Sequence, residues 1–170
     1  IFGYILIFLL LFTKEKVRNY EMKFKLRYFL EYDFIKYQAL SNNRNIAKSA
    51  GMNILTKAFE QWMAFKGMVG RQGFLAIVNE ADQVVGGIFI FQPAAEDIYE
   101  IGYLLGEEYW NQGIMTKAVH FAIKNLKNRN KRDFKVFANV CIDNYASQQV
   151  LKRNGFKRLE KITTGISGYD

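Results

Sequence analysis

The stretch from Tyr99 to Val140 constrains the fold more than any other part of the chain. Tyr99, Ile101, Tyr103 and Leu105 alternate with Glu100, Gly102 and Leu104, the two-residue period of a strand. After Gly113 the period lengthens. Met115, Ala118, Val119, Ala122, Ile123 and Leu126 fall on one face of a helix over 113–127, with Lys117, Lys124 and Lys127 opposite. Asp133–Val140 then reads as a strand again. Strand, helix and strand in that order make a parallel pair joined by a right-handed crossover.

The flanks add antiparallel pairing. Lys23–Phe29 alternates as a strand, and Phe74–Glu80 with Val84–Gln92 reads as a hairpin about Ala81–Asp82–Gln83. Residues 31–40 and 53–66 read as helices, punctuated by Ser41–Asn45. Gly67, Gly70 and Gly73 bracket a loop before the hairpin, and Pro93 closes it. A short helix over 144–154 stops at Asn154–Gly155, and Phe156–Lys161 begins a last strand. The expected class is α+β: a mixed, mostly antiparallel sheet with one parallel pair, flanked by helices. At 170 residues the chain suits one domain with a real core.

Composition narrows the chemistry. The single Cys141 excludes a disulfide framework and a Cys-based zinc site, and fits a reducing, cytoplasmic setting. One histidine, His120, argues against a His-cluster site, so no metal is expected. A net charge of +8 points to an anionic ligand, nucleic acid or anionic membrane without choosing among them.

Residues 1–12, IFGYILIFLLLF, are continuously apolar. As a helix they would reach about 18 Å, short of the roughly 30 Å hydrocarbon core. No basic region precedes them and no small-residue cleavage site follows. Lys14, Lys16 and Arg18 would keep the remainder cytoplasmic if they inserted. Three readings stay open: read-through or fragment sequence, a membrane-contacting tail, or a packed element. Domain sequence becomes readable at Met22, so 1–21 stands as an unassigned lead and 22–170 as the domain.

Between the strand at Leu105 and the helix lies Gly-Glu-Glu-Tyr-Trp-Asn-Gln-Gly-Ile-Met. Asn111 is its one strong cap residue, so Trp110–Met115 leaves helix-start N–H groups exposed, with Gly113 allowing close approach. Such a turn suits a phosphate or pyrophosphate, although one Gly before a helix is more often plain turn geometry. It is neither a P-loop nor a dinucleotide fingerprint, because the required Lys and glycines are missing.

Three segments together carry a resemblance. Glu100–Leu105, Trp110–Thr116, and Asn144-x-x-Ser147 followed by Leu151–Phe156 resemble the GNAT superfamily of N-acetyltransferases. Within it the chain is most similar to bacterial ribosomal-protein N-terminal acetyltransferases that modify serine or alanine. The resemblance runs from about Lys23 to Lys161. The family's loop is Gln/Arg-x-x-Gly-x-Gly/Ala; Trp110 and Met115 depart from it and Gly113 is kept.

The resemblance implies the GNAT fold, with acetyl-CoA as co-substrate and direct transfer to a primary amine through a tetrahedral intermediate. The acceptor it implies is the N-terminal α-amine of a ribosomal protein. Tyr103, Leu104 and Leu105 would follow the pantetheine arm. Asn111, Gln112, Gly113, Ile114, Met115 and Thr116 would hold the pyrophosphate, and Asn144 would bond the arm. An ammonium has no lone pair, so a base is needed; an α-amine with pKa about 8 needs less help than a lysine near 10.4. Glu100 is the implied base, a strand N–H near Leu104 the oxyanion donor, and Ser147 the donor to the departing thiolate. Family members continue past the Phe156 strand with a final antiparallel strand. This chain stops at Gly168-Tyr169-Asp170, so it is expected to lack that strand and the closure it gives the acceptor pocket.

Other functions stay in view: a small-amine acetyltransferase acting on a polyamine or antibiotic, a non-catalytic CoA-binding or ribosome-associated module, and a membrane-tethered protein. Acids at Glu96, Asp97, Glu100, Glu107 and Glu108 are expected to form a lip attracting the amine. The basic run Lys124–Arg132 is a solvated helix end or an RNA contact, close in sequence to the expected 3′-phosphate of CoA. Ribosome contact is thus one reading, direct DNA binding is not expected, and monomer and homodimer both stand.

Overall fold

The structure, a computed structural model, describes residues 3–11, 24–93, 97–130 and 132–164. Strand β1 (Gly3–Leu11) comes first, then β2 (Lys25–Tyr28) and a 3₁₀ turn at Glu31–Asp33. Three helices follow, α1 (Phe34–Asn42), α2 (Arg44–Ala50) and α3 (Ala58–Lys66), then the hairpin of β3 (Phe74–Val78) and β4 (Val84–Phe91). The second half alternates β5 (Ile98–Leu105), α4 (Ile114–Arg129), β6 (Lys135–Cys141), α5 (Tyr145–Arg153) and β7 (Lys157–Thr164).

The strands form one seven-stranded sheet in the order β2-β3-β4-β5-β6-β1-β7. Every neighbouring pair is antiparallel except β5 and β6. Two cores cover its faces. Leu6, Phe8, Ile88, Val119, Val136 and Leu151 pack beneath α4 and α5. On the other face Phe29, Tyr37, Phe65, Phe74 and Phe89 pack beneath α1 to α3. There Phe29 stacks on Phe89 at 6.0 Å and meets Tyr37 and Phe65 edge-on.

The apolar lead is a packed element. Residues 5–11 pair with 141–135 of β6, and residues 3–9 pair with β7. Leu6 and Phe8 are fully buried. The strand is flanked on both edges, with Leu6 and Phe8 buried on one face and Ile5, Ile7 and Leu9 half-buried on the other, so it reads as an unbroken hydrophobic run that periodicity left ambiguous. Residues 3–11 of that lead therefore contribute to the same sheet as the strands that follow. No strand follows β7 among the described residues, and the antiparallel neighbour that β7 was expected to lack is supplied by β1. No helix among the described residues is long and apolar enough to cross a membrane.

One helix also departs from expectation. The reading over 53–66 shortens to α3, while 44–50 forms α2, which starts inside the Ser41–Asn45 stretch read as punctuation. Asn43 explains α2: its side chain accepts the N–H groups of Asn45 and Ile46 at 2.9 and 3.2 Å. Gly51, at φ 65°, ends it.

The feature that positions the site is a splay. β5 and β6 pair over only Ile98↔Lys135, Tyr99↔Val136 and Glu100↔Phe137. Beyond these, β5 runs on to Leu105 and β6 to Cys141 without pairing to each other. A wedge opens between them, and α5 brings Ser147 to it.

Candidate active site

The parity of β5 decides which main-chain groups edge the wedge. Gly106 donates its N–H to the Val85 carbonyl at 2.8 Å. An antiparallel ladder alternates, so Leu104, like Gly106, is tied to β4. The N–H and C=O groups of Tyr103 and Leu105 face the wedge instead, as does the Ile101 carbonyl. The donor expected near Leu104 thus falls to its neighbours, because Leu104's own N–H is directed at β4. The Leu105 carbonyl is occupied by the Trp110 indole N–H at 2.8 Å.

The start of α4 closes one end of the wedge. Gly113 takes the cap position at φ 73°, where a side chain would be strained, and no side chain caps the helix. A Cβ at Gly113 would meet nothing within 4 Å. The first-turn donors of Ile114, Met115 and Thr116 therefore stand beside open space, in a groove of about 450 Å³. Tyr103, Leu104, Leu105, Asn111, Asn144 and Ser147 also line it. Gln112 does not; its amide donates to the Glu108 carbonyl at 2.8 Å. Arg153, which sequence reasoning overlooked, is the groove's one fixed cation among the described residues. It lies on the α5 face that carries Ala146, Gln149 and Val150, so helical spacing was the signal available. Uncapped helix-start donors, a bare glycine and an arginine suit a polyphosphorylated ligand with an extended arm.

Asn144 has a different principal task from the one expected. Its Oδ1 accepts the Ser147 N–H at 3.0 Å, capping α5, and its Nδ2 donates to the Ser49 carbonyl at 2.7 Å. One amide hydrogen and one lone pair remain beyond these bonds.

Ser147 meets Tyr103 across the wedge. Their hydroxyl oxygens are 2.7 Å apart, and the Tyr103 hydroxyl also lies 3.2 Å from the Ser147 carbonyl. Burial pushes the Tyr103 phenol above its ordinary pKa, against a smaller opposing effect of the Ser147 hydrogen bond. The phenol therefore keeps its proton at neutral pH and is competent to donate to Ser147, leaving the serine hydrogen for the groove.

Behind Tyr103 and Ser147 lies a second cavity of about 590 Å³, which shares both residues with the groove. Glu100 is its only carboxylate among the described residues. Asn139 of β6 donates to Glu100 Oε1 at 2.9 Å. This contact depends on the β5–β6 register, so residue spacing alone gave no sign of it. Phe91 pairs with Glu100 and Phe89 with Gly102, which sets aromatic rings beside the acid on one face. A Cβ at Gly102 would meet nothing within 4 Å, so the cavity floor is open there.

A family profile described as an acetyltransferase (GNAT) domain matches residues 23–157. The chain belongs to the GNAT acetyltransferase family. It is an acetyl-CoA-dependent N-acetyltransferase by that membership. Solved GNAT structures share its fold at low identity. An acetyltransferase from Bacillus anthracis is similar at 17% identity and TM-score 0.68, covering 82% of each chain. A spermidine N-acetyltransferase from Vibrio cholerae, solved with CoA and spermine, is similar at 15% identity and TM-score 0.68, covering 84% of this chain and 89% of its own. A ribosomal-protein-alanine N-acetyltransferase from Brucella melitensis is similar at 20% identity and TM-score 0.61, covering 80% and 86%. No curated protein sequence matches the chain.

Two charge expectations change on this GNAT fold. The acids do not gather into one lip. Asp97 precedes β5 and Glu107 follows it, on the order of 30 Å apart along an extended strand. Glu107 is bound instead by the side-chain amides of Asn43 and Asn45, tying the start of α2 to the turn after β5. Glu96 lies outside the described residues. Lys124–Arg129 of the basic run lie in the C-terminal half of α4, roughly 15 to 22 Å from the helix start where phosphates would bind. There Lys127 and Arg129 complement the helix dipole.

Proposed function

We propose that this acetyltransferase moves the acetyl group of acetyl-CoA to the N-terminal α-amine of a protein, by direct attack of the amine. The carrying observation is the place of Glu100, the one carboxylate among the described residues of a cavity that meets the groove at Tyr103 and Ser147. One carboxylate suits an acceptor with one amine, and an α-amine with pKa about 8 gives up its proton readily. A polyamine would call for several acids. A ribosomal protein is the acceptor we name, by analogy with the Brucella melitensis enzyme of the same fold.

Acetyl-CoA supplies the activated acetyl group and leaves as the thiol. The remaining work falls to the chain. The donors of Ile114, Met115 and Thr116, with Gly113 and Arg153, hold phosphates, while Asn111 edges the turn. The wedge-facing main chain of Tyr103 binds the arm, and Leu104, Leu105 and Asn144 line it. Glu100, steadied by Asn139, takes the amine proton directly or through a water. The Leu105 N–H faces the position of the acetyl oxygen, and Ser147, oriented by Tyr103, donates to the sulfur.

The test is thiol release from acetyl-CoA with N-terminal peptides, polyamines and other small amines. Peptides are expected to turn over, and Glu100→Gln to cut kcat at neutral pH with partial recovery at high pH, where the free amine dominates. Turnover with small amines alone gives the polyamine or antibiotic reading. Binding of acetyl-CoA without transfer to any amine gives the non-catalytic module.

A further inference from the structure

The acceptor cavity has a second charged group that the transfer chemistry does not use. Arg71 lines it, in the loop between α3 and β3. Its guanidinium stacks over the Phe74 ring at 4.7 Å from the centroid. Its main chain is fixed on both sides: the Arg71 N–H donates to the Met68 carbonyl and the Arg71 carbonyl accepts the Phe74 N–H, each at 3.1 Å. No carboxylate among the described residues pairs with it. A stacked guanidinium keeps its planar fork available at the edge, the geometry that binds a carboxylate.

The sheet register gives the spacing. Phe74 of β3 pairs with Phe89 of β4, and Phe91 of β4 pairs with Glu100 of β5. Arg71 and Glu100 thus stand two strands apart, about 10 Å across the sheet. Phe74, Phe89 and Phe91 fill the interval, with Met68 beside them. The cavity therefore presents an acid next to the point of transfer, an aromatic middle and a cation beyond. Its complement has an amine, an apolar body and a carboxylate in that order.

Resting on the assignment of the acceptor as a protein N-terminus, we propose that this enzyme selects N-termini with an apolar residue near the amine and an acidic side chain at the second or third position. A residue of extended chain spans about 3.3 Å, so an acid two residues on reaches the Arg71 end. A free amino acid does not fit, because its carboxylate is one carbon from its amine. A linear polycation does not fit either, because its distal ammonium would meet Arg71.

The experiment compares C-terminally amidated Ala-Phe-Asp-Gly and Ala-Phe-Lys-Gly, with spermidine as a third acceptor. The readout is kcat/KM from thiol release. The wild-type enzyme is expected to prefer the Asp peptide by about tenfold, the scale of one partly exposed charge-assisted hydrogen bond. Arg71→Gln should abolish that preference, and Arg71→Glu should reverse it and improve spermidine. The acetyl-CoA KM should stay unchanged in both, which separates the effect from general damage to the fold. Peptides that are acetylated with the same Asp-to-Lys ratio in wild type and both variants would overturn this selectivity alone. Absence of acetylation of every peptide, with turnover of spermidine, would overturn the N-terminal assignment itself.

Discussion

Gly86 and Gly102 lie on adjacent strands, and the same substitution at each should have opposite signatures. A Cβ at Gly86 would lie 2.6 Å from the Leu104 carbonyl oxygen, 2.9 Å from Leu105 Cδ1 and 3.2 Å from Leu105 Cα. The oxygen belongs to the main chain, so a rotamer change cannot relieve the contact. Ordinary contact begins at 3.4 Å, so β4 and β5 must part by about 0.8 Å. Overpacking of this kind costs about 2 kcal/mol, which lowers Tm by roughly 4–8 °C in a domain of this size. The displaced strand carries Tyr103 and Leu105, whose edge faces the wedge. Misplacement by about 1 Å at a reacting centre costs up to roughly a hundredfold in rate, so Gly86→Ala should also raise the acetyl-CoA KM and lower kcat. At Gly102 a Cβ meets nothing within 4 Å and projects into the acceptor cavity. Gly102→Ala should therefore keep Tm and the acetyl-CoA KM while raising the acceptor KM. Thermal unfolding and steady-state kinetics with each substrate varied in turn give all four quantities. If Gly86→Ala keeps wild-type Tm and acetyl-CoA KM, or if the two variants behave alike, the placement of β5 between groove and cavity is refuted.

Asp33 is 3% exposed and accepts from Arg27 at 2.7 and 2.9 Å and from the Leu30 N–H at 2.8 Å. Asp33→Ala should cost about 3 kcal/mol in urea unfolding, the low end for a broken buried pair because Arg27 keeps Asp82; a loss below about 1 kcal/mol would contradict this. Phe8 is fully buried in β1, so Phe8→Ala should cost about 3–5 kcal/mol, whereas an unpacked lead would show no change. Burial pushes the Tyr37 phenol up to about 12 from an ordinary value of 10.0. The folded state then holds its proton more tightly than the unfolded state. The resulting stability, on the order of 3 kcal/mol, is present below about pH 10 and lost as pH rises toward 12. Urea unfolding at pH 9 and pH 11.5 should show that loss in wild type and less of it in Tyr37→Phe.

Features set by local chemistry were legible in the chain. The alternation of Tyr99–Leu105, the glycine turn at Gly113 and the Asn154–Gly155 stop each act over a few residues, and the structure places them as read. The α2 helix escaped because Asn43 was taken for punctuation, when the same residue type caps helices. Contacts set by register were not legible. Asn139 meets Glu100 only because β6 pairs with β5 in one particular offset, and Arg71 reaches the cavity only because Phe74 places its ring beneath it. Charge clustering misled for the same reason: Asp97 and Glu107 are close in sequence, but an extended strand holds them apart.

The position of β1 follows from what the site demands of β6. A reactive wedge requires β6 to leave β5 after three register pairs, so one edge of Ala138–Cys141 loses its ladder. Unpaired backbone at the sheet centre is costly unless the opposite edge is held. β1 holds it over the whole length of β6, from Ile5↔Cys141 to Leu11↔Lys135. Its Leu6 and Phe8 anchor in the core beneath α4 and α5, while Ile5 reaches the acceptor cavity on the other face. The strand is therefore apolar on both faces and paired on both edges over Ile5–Leu9. That arrangement produces the same unbroken run of Ile, Leu and Phe that a membrane segment would show. Partnering in the sheet distinguishes the two, and it also fixes Asn139 against Glu100. The lead that looked detachable in sequence thus holds rigid the strand on which the base is oriented.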